Sequence, residues 1–290
     1  MKRHHTQLGF TLIEAVIVIV VTGILVGIVA VFIGKPVQGY TDAVRRAELT
    51  DAADVALRRL SRDIHMALPN SVRVSSDASN FYLEFIPTTS GGRYRDVADG
   101  STGGNFLGFT SSAGSVFDVL GAAPSMSVGD YVVVYNLGTG YSPADAYRRD
   151  QVECDATPVS PGCNIAQISA ISGNTVTLDA NPFAKQQPPL PSPNARFQVV
   201  SGSIRAVSYI CPRISTGNLT RYWNYGFNTA QSLSVPATGS SSILVGNVIC
   251  TMDYSSTANG RNGILYIQLT LSSSGESVTL FQQIHVDNAP

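Results

Sequence analysis

The residues of this chain best placed to do chemistry lie near its start: Gly9, Phe10 and Glu14, within Gly9-Phe10-Thr11-Leu12-Ile13-Glu14. Ahead of them is a short polar, basic leader, Met1-Lys2-Arg3-His4-His5-Thr6-Gln7-Leu8, and behind them an uncharged apolar run, Ala15 to Gly34. A secretory signal peptide carries its cleavage site after the apolar stretch. Here the candidate scissile bond, Gly9–Phe10, precedes it, so cutting would leave the apolar run on the protein. The cut would also free the amine of Phe10, a cation four residues from the Glu14 carboxylate. A charge at the edge of a membrane segment costs on the order of a few kcal/mol when unpaired, and such residues usually have a partner and a task. A buried charge pair is poor evidence for stability but sets register well, because each partner penalises arrangements that strand the other. The plainer alternative is a single-pass anchor whose glutamate snorkels to the interface.

Elsewhere the sequence offers little chemistry. It holds no G-x-S-x-G elbow, H-E-x-x-H, P-loop or G-x-G-x-x-G. His65 falls on a helical pattern and reads as packing or solvent-facing; the only histidine beyond it is His285. The turn from Asp253 to Gly263 contains an aspartate and could hold calcium, but it lacks EF-hand spacing and reads better as an Asn/Gly turn. No cofactor, metal or catalytic residue is expected. Arg93-Tyr94-Arg95 and Tyr222-Trp223-Asn224-Tyr225 could form a partner-binding patch, though aromatics laid over a core explain them slightly better. Only 13% of residues are charged and the net charge is −1, which gives nucleic-acid binding no support.

Four cysteines, Cys154, Cys163, Cys211 and Cys250, all follow the apolar run. An even count beyond a membrane segment points to disulfides in an oxidising compartment. The spacing lacks C-x-x-C and a nearby histidine pair, so it does not resemble a zinc site. Three pairings are possible; the neighbours, Cys154 with Cys163 and Cys211 with Cys250, are favoured, the first stapling the Pro-rich loop Asp155–Gly162.

These residues must be positioned by a helix. Ala15–Gly34 as a helix is roughly 30 Å long, about the hydrocarbon thickness of a bilayer. From Lys35 to Leu68 the pattern turns amphipathic. Val37, Tyr40, Val44 and Ala47, then after a phase slip Ala53, Leu57, Leu60, Ile64 and Leu68, recur at helical spacing. Asp42 with Arg46 and Asp54 with Arg58 put acid four residues before base. Pro36, between Gly34 and Gly39, predicts a kink, and Pro69-Asn70 an end, giving a broken rod from Phe10 to Leu68 of roughly 88 Å. Lys2 and Arg3 before the helix are balanced by Lys35, Arg45 and Arg46 after it, so charge alone does not fix the orientation.

After Pro69 alternation and β-branched runs predict strands at 81–86, 116–120, 131–135, 165–171, 175–178, 196–200, 204–210, 219–225, 243–250, 264–271 and 277–286. Ser272-Ser273-Ser274-Gly275 reads as a hairpin loop, and Gly91–Gly104 and Gln186–Asn194 as exposed loops. The expected fold class is α+β: a long N-terminal helix, half transmembrane and half amphipathic, packed on one β-rich, largely antiparallel body.

The leader, Gly9, Phe10, Thr11-Leu12-Ile13-Glu14 and the apolar helix together resemble the type IV prepilin family. That resemblance implies a prepilin peptidase that cuts after Gly9 and N-methylates Phe10. It implies a helix retained as the packing core of a filament, and a Glu14 that attracts the amino terminus of a neighbour during assembly. It implies major and minor pilins, an inner-membrane assembly platform and the lipid bilayer as partners. With the cysteines, it puts the amino terminus in the cytoplasm and the body in the periplasm, then on the pilus. Arg62-Asp63-Ile64 with Ala67-Leu68-Pro69-Asn70-Ser71-Val72-Arg73 is similar to the large W-type and J-type minor pilins. Gly91-Gly92-Arg93-Tyr94-Arg95, Arg221-Tyr222-Trp223 and Gln283-Ile284-His285-Val286-Asp287-Asn288 resemble the O-type minor pilin of the mannose-sensitive haemagglutinin (MSHA) pilus. One departure is that the proline common partway along the family's membrane helix has no counterpart, Val31 standing nearby. The implied organisation is a leader over 1–9, a membrane helix over 10–34, its amphipathic half over 35–68 and a β-rich body over 69–290. The implied function is that of a non-enzymatic minor pilin priming or joining assembly at the tip. The alternatives are a minor pseudopilin of type II secretion or a membrane-tethered adhesin or hydrolase.

Overall fold

The computed structural model describes residues 9–96, 103–110, 114–151, 154, 162–256 and 262–290. The leader before Gly9, most of the Pro-rich loop Asp155–Gly162, the middle of the Asp253–Gly263 turn and part of the expected Gly91–Gly104 loop lie outside the described residues.

One helix, α1 (Leu12–His65), opens the structure and runs unbroken through Pro36. The expected break there is corrected. Proline removes one N–H from the ladder, and the hydrogen bonds of the turns on either side carry the helix past that loss. At 1.5 Å per residue α1 is about 81 Å long. It stops three residues before the expected end. Met66 caps the last turn, its N–H reaching the carbonyls of Asp63 and Ile64. Leu68 N–H then donates to Ile86 O at 2.7 Å, so the chain enters β pairing as soon as it leaves the helix.

The phase slip in the apolar pattern has a structural meaning. Ala53, Ala56, Leu57, Leu60 and Ile64 are buried against a sheet. Val37, Tyr40 and Val44, read as the earlier part of the same face, are exposed, as is Val55. At 100° per residue Val37, Val44 and Val55 share one side of the helix, opposite Leu60 and Ile64. The helix therefore carries two apolar seams, and only the second belongs to its own body.

Among the described residues the body contains thirteen strands, and they pair antiparallel throughout. Seven form an open sheet in the order β1 (Arg73–Ser76), β2 (Asn80–Phe85), β9 (Val207–Pro212), β10 (Gly217–Trp223), β11 (Ser240–Ser256), β12 (Asn262–Ser273) and β13 (Glu276–Asp287). Leu265, Ile267, Leu269 and Leu271 alternate inward along β12 to meet α1. β12 and β13 pair over twelve residues around Ser274-Gly275. Both turn residues have positive φ, 49° and 88°, the backbone of a two-residue hairpin matched to strand twist.

The other six strands close into a barrel: β3 (Thr88–Tyr94), β4 (Val116–Leu120), β7 (Thr175–Leu178), β6 (Ile165–Ser172), β5 (Tyr131–Val133) and β8 (Arg196–Val200). Tyr94, Phe117, Val132, Ile168, Val176 and Phe197 fill its interior, with Phe117 edge-on to Phe197 at 5.6 Å. The barrel is inserted between β2 and β9, which are themselves neighbours in the sheet. Two expectations change here: β3 occupies part of the stretch read as the Gly91–Gly104 loop, and β1 is a strand where none is expected. The β-rich, antiparallel body expected from the sequence is built as a sheet and a barrel.

The two β units share a third apolar cluster, including Leu68, Ile86, Tyr131, Tyr147, Val200 and Phe227. Polar groups fasten the same junction. Asn70 Nδ2 donates to the carbonyls of Asn136 (2.9 Å) and Asn288 (3.0 Å), and Asn136 Nδ2 to Pro69 O at 2.7 Å. Beside them Glu84 is buried and ion-paired to Arg73 at 2.7 Å, while the Tyr225 hydroxyl donates to its other oxygen at 2.7 Å. Arg73 also donates to the carbonyls of Asn228 and Thr229, tying the β10–β11 connection across the β1 edge. Disulfides join Cys154 to Cys163 and Cys211 to Cys250, with Cα separations of 5.2 and 5.9 Å. The second bridges β9 directly to β11.

Candidate functional site

Gly9, Phe10 and Glu14 come together at the free tip of α1. Gly9 and Phe10 precede the helix and are exposed, Phe10 by 79%. Thr11 is the N-cap, with extended backbone (φ −81°, ψ 149°). The Glu14 N–H donates to Thr11 Oγ1 at 3.4 Å, and the Thr11 hydroxyl lies 3.5 Å from Glu14 Oε2. Thr11 and Glu14 therefore stand at the N-cap and N3 positions of a capping-box sequence, T-x-x-E, with the Thr11 half of the box formed and the Glu14 carboxylate turned to the Thr11 hydroxyl. This is a role sequence reasoning missed, although the T-x-x-E spacing that signals it was in view. The cap ends the helix at Thr11, which leaves the Gly9–Phe10 bond outside it in accessible chain. The carboxylate of Glu14 also stands at the positive end of the helix dipole, where negative charge is favoured.

From Leu12 to Tyr40 every described residue of α1 is exposed. By length and composition this helix can cross a membrane, and none of its apolar window is covered by the body. The one polar side chain in the run, Thr22, returns its hydroxyl to Val18 O at 2.6 Å and Ile19 O at 3.1 Å, so nothing in the apolar stretch is left unsatisfied. Gly23 and Gly27 are four residues apart, and a Cβ built on either would meet nothing within 4 Å. That spacing allows close helix–helix approach in a membrane. It is a second signal, G-x-x-x-G, that the sequence carried unread.

The body grips the other half of α1 through polar contacts as well as the apolar core. Arg46 pairs with Glu276 at the start of β13, and this hydrogen bond holds the Glu276 carboxyl below its usual range. The expected Asp54–Arg58 pair is present at 2.7 Å. Asp42 instead meets Arg45, three residues on, because Arg46 is engaged by the sheet. Near the end of α1, Asp63 accepts from the Tyr209 hydroxyl at 2.7 Å and from Arg221 Nε at 2.9 Å. Burial, then the neighbouring Asp63, pushes the Tyr209 hydroxyl well up, so it stays a donor.

These contacts account for much of the expected aromatic patch. Arg221 belongs to the helix lock and stacks on Trp223 at 5.0 Å; Tyr225 serves Glu84; Tyr94 lies wholly inside the barrel. The four cysteines sit in the body and take no part in the helix tip. A cleft of about 580 Å³ lies by Thr89, Ser125, Asp130, Gln167, Ser201 and Ser203. Its carboxylate, Asp130, already accepts the N–H groups of Ser127 and Gly202. Among the described residues no cluster of three or more His, Cys, Asp or Glu could hold a metal ion.

No curated protein and no solved structure matches the chain. Residues 4–30 match the family model for the prokaryotic N-terminal methylation motif. The match spans the Gly9–Phe10 bond, the cap and the glutamate as well as most of the exposed apolar helix, and implies processing by prepilin peptidase and pilin assembly. This chain thus carries, at the tip of α1, the N-terminal signature that supports a type IV pilin or pseudopilin family.

Proposed function

We propose that the chain is a non-enzymatic minor type IV pilin of the MSHA biogenesis type, cut after Gly9, N-methylated at Phe10 and incorporated at or near the tip of the filament. The observation that carries this reading is the uncovered helix. About thirty residues of apolar α1 stand clear of the body, behind an exposed, extended Gly9–Phe10 bond. Before assembly a bilayer covers that surface, with the leader cytoplasmic and the β body periplasmic; afterwards neighbouring helices cover it. In this organisation residues 1–9 are the leader, 10–34 the membrane helix, 35–68 its amphipathic half and 69–290 the body. A sheet with an inserted barrel is a bulky unit for a long helical lattice, which favours a minor over a bulk subunit. The MSHA assignment rests on the resemblance of Gly91–Arg95, Arg221–Trp223 and Gln283–Asn288.

The test is intact mass and amino-terminal analysis of the protein with and without the peptidase. The expected mature form begins with N-methylated Phe10, and Gly9→Val leaves the precursor uncut because a larger side chain stands at the scissile position. A mature chain beginning beyond Gly34 would overturn the reading. Recovery of the subunit in sheared MSHA pili, and its absence from secretion pseudopili, separates the pilus assignment from the pseudopilin alternative.

A further inference from the structure

The outer wall of the barrel sets two arginines where a β ladder disfavours them. In the β3–β8 pair Arg93 stands directly opposite Arg196, and Gly91 opposite Gln198. Directly opposed residues project from the same face, with Cβ atoms roughly 4.5–5.5 Å apart, and like charges so placed weaken the pairing. Both arginines are exposed. The intervening residues face inward: Phe197 is in the barrel core, and a Cβ on Gly92 would lie 2.8 Å from its ring. Other barrel arginines have carboxylates, Arg95 with Asp118 and Arg149 with Asp179. Among the described residues neither Arg93 nor Arg196 has an acidic partner; Arg93 donates through Nε to Asn194 O at 3.2 Å, leaving its terminal nitrogens available. Gly91, which has no side chain, leaves bare backbone in a cleft of about 310 Å³ that Arg93, Arg196 and Gln198 also line.

We propose that this cleft is an oxyanion-binding site, taking a carboxylate or phosphate group between Arg93 and Arg196 with the Gln198 amide as a third donor. A guanidinium presents a fork of donors matched to such a group, and an anion shared by two of them removes the repulsion that the register imposes. The opposed arginines are then a cost of the empty barrel that the ligand relieves. The oxyanion can arrive free in solution or as the acidic side chain of another protein. The site does not depend on how the amino terminus is processed.

The experiment titrates the full-length protein in neutral detergent with inorganic phosphate and, separately, with a hexaglutamate peptide, by calorimetry at constant ionic strength in chloride. Saturable binding at one site per chain is expected, weakened about tenfold or more by Arg93→Gln or Arg196→Gln and unchanged by Arg213→Gln, whose guanidinium lies over Phe81 on another strand. Binding of phosphate assigns a free oxyanion; binding of the peptide alone assigns a protein-borne carboxylate. A second reading separates a ligand site from a structural role. Without added oxyanion Arg196→Gln should melt no lower than wild type, because it relieves the repulsion. The proposal is overturned if neither probe binds, if binding survives both arginine substitutions, or if Arg196→Gln melts clearly below wild type.

Discussion

Replacing Arg73 by Met tests whether the sheet–barrel junction depends on a buried charge pair. The Glu84 carboxylate is 3% exposed and the Arg73 side chain 13%, with Arg73 Nη2 2.7 Å from Oε2. The substitution keeps an apolar stem but strands the carboxylate and frees the carbonyls of Asn228 and Thr229. Breaking one side of a buried pair costs about 3–5 kcal/mol. The lower end, about 3 kcal/mol, applies here because the Tyr225 hydroxyl still serves Glu84 and Arg73 is not fully enclosed. For a body of this size that is a drop of roughly 6–12 °C in melting temperature. The loss should also depend on pH. Burial already raises the Glu84 carboxyl above its ordinary 4.5, with attraction to Arg73 the largest opposing effect. A raised folded value means that this group's stabilisation is complete below about pH 4.5 and is lost as pH rises through the folded value. Removing Arg73 raises that value further, and raises Asp145, which feels the same guanidinium. The deficit of Arg73→Met relative to wild type should therefore be largest near pH 8 and shrink toward pH 5. Melting of the full-length protein in detergent at both pH values, for Arg73→Met, Glu84→Gln and the double variant, is the assay. The double variant should recover most of the loss and its pH dependence. A deficit that is the same at pH 5 and 8, or a double variant melting below Arg73→Met, would refute the reasoning.

Three further outcomes are expected. Glu14→Gln keeps a side chain at N3 that suits a helix start as Glu does, yet removes the charge; insertion and cleavage should be normal while the ratio of subunit in sheared pili to that in membranes falls, 1.4 kcal/mol sufficing for about tenfold. An unchanged ratio would reduce Glu14 to a capping residue. Leu60→Ala should destabilise by about 2–5 kcal/mol because Leu60 is wholly buried, whereas the exposed Val55→Ala should leave denaturation within about 0.5 kcal/mol of wild type; equal effects would refute this seating, and the reverse order would mean the helix is turned over. Removing the Cys211–Cys250 bridge, which spans 39 residues, should lower stability by about 4 kcal/mol against about 2.5–3 kcal/mol for Cys154–Cys163, which spans 9; denaturant titration of the two Cys→Ser pairs reads the order.

Much of this architecture was legible in the sequence, since most expected strands lie within two or three residues of those found. The misses have separate physical causes. Gly91-Gly92 suggests a loop by composition, yet Gly92 is required inside β3 because the Phe197 ring occupies the place of its side chain. β1 reads Arg-Val-Ser-Ser and has no apolar alternation to announce it, because a charge pair and a covering segment hold that edge. Helical spacing gave both seams of α1 but not which one the body covers; only the half-turn between Val44 and Ala53 carries that. Alternation is identical in strands of a sheet and of a barrel, so closure was not readable from it. The amino-terminal site was legible because its residues are contiguous. The opposition of Arg93 and Arg196 was not, because only the register of β3 on β8 brings together residues so far apart in the chain.

The insertion of the barrel between adjacent sheet strands constrains how the molecule can be made. Phe85 and Val207 are ladder partners about 120 residues apart in sequence. Closing such a loop from an unstructured chain is entropically unfavourable and slow, and exposes unpaired strand edges meanwhile. The barrel removes the difficulty if it forms first, because its own first and last strands, β3 and β8, are hydrogen-bonded neighbours and deliver β2 and β9 side by side. The inserted unit thereby acts as a clasp in time as well as in space. It precedes β9 to β13 in the chain, and once folded it reduces the remaining problem to an antiparallel meander added strand by strand. The bond between Cys211 and Cys250 then falls among the last events, sealing a sheet whose register the barrel has already chosen.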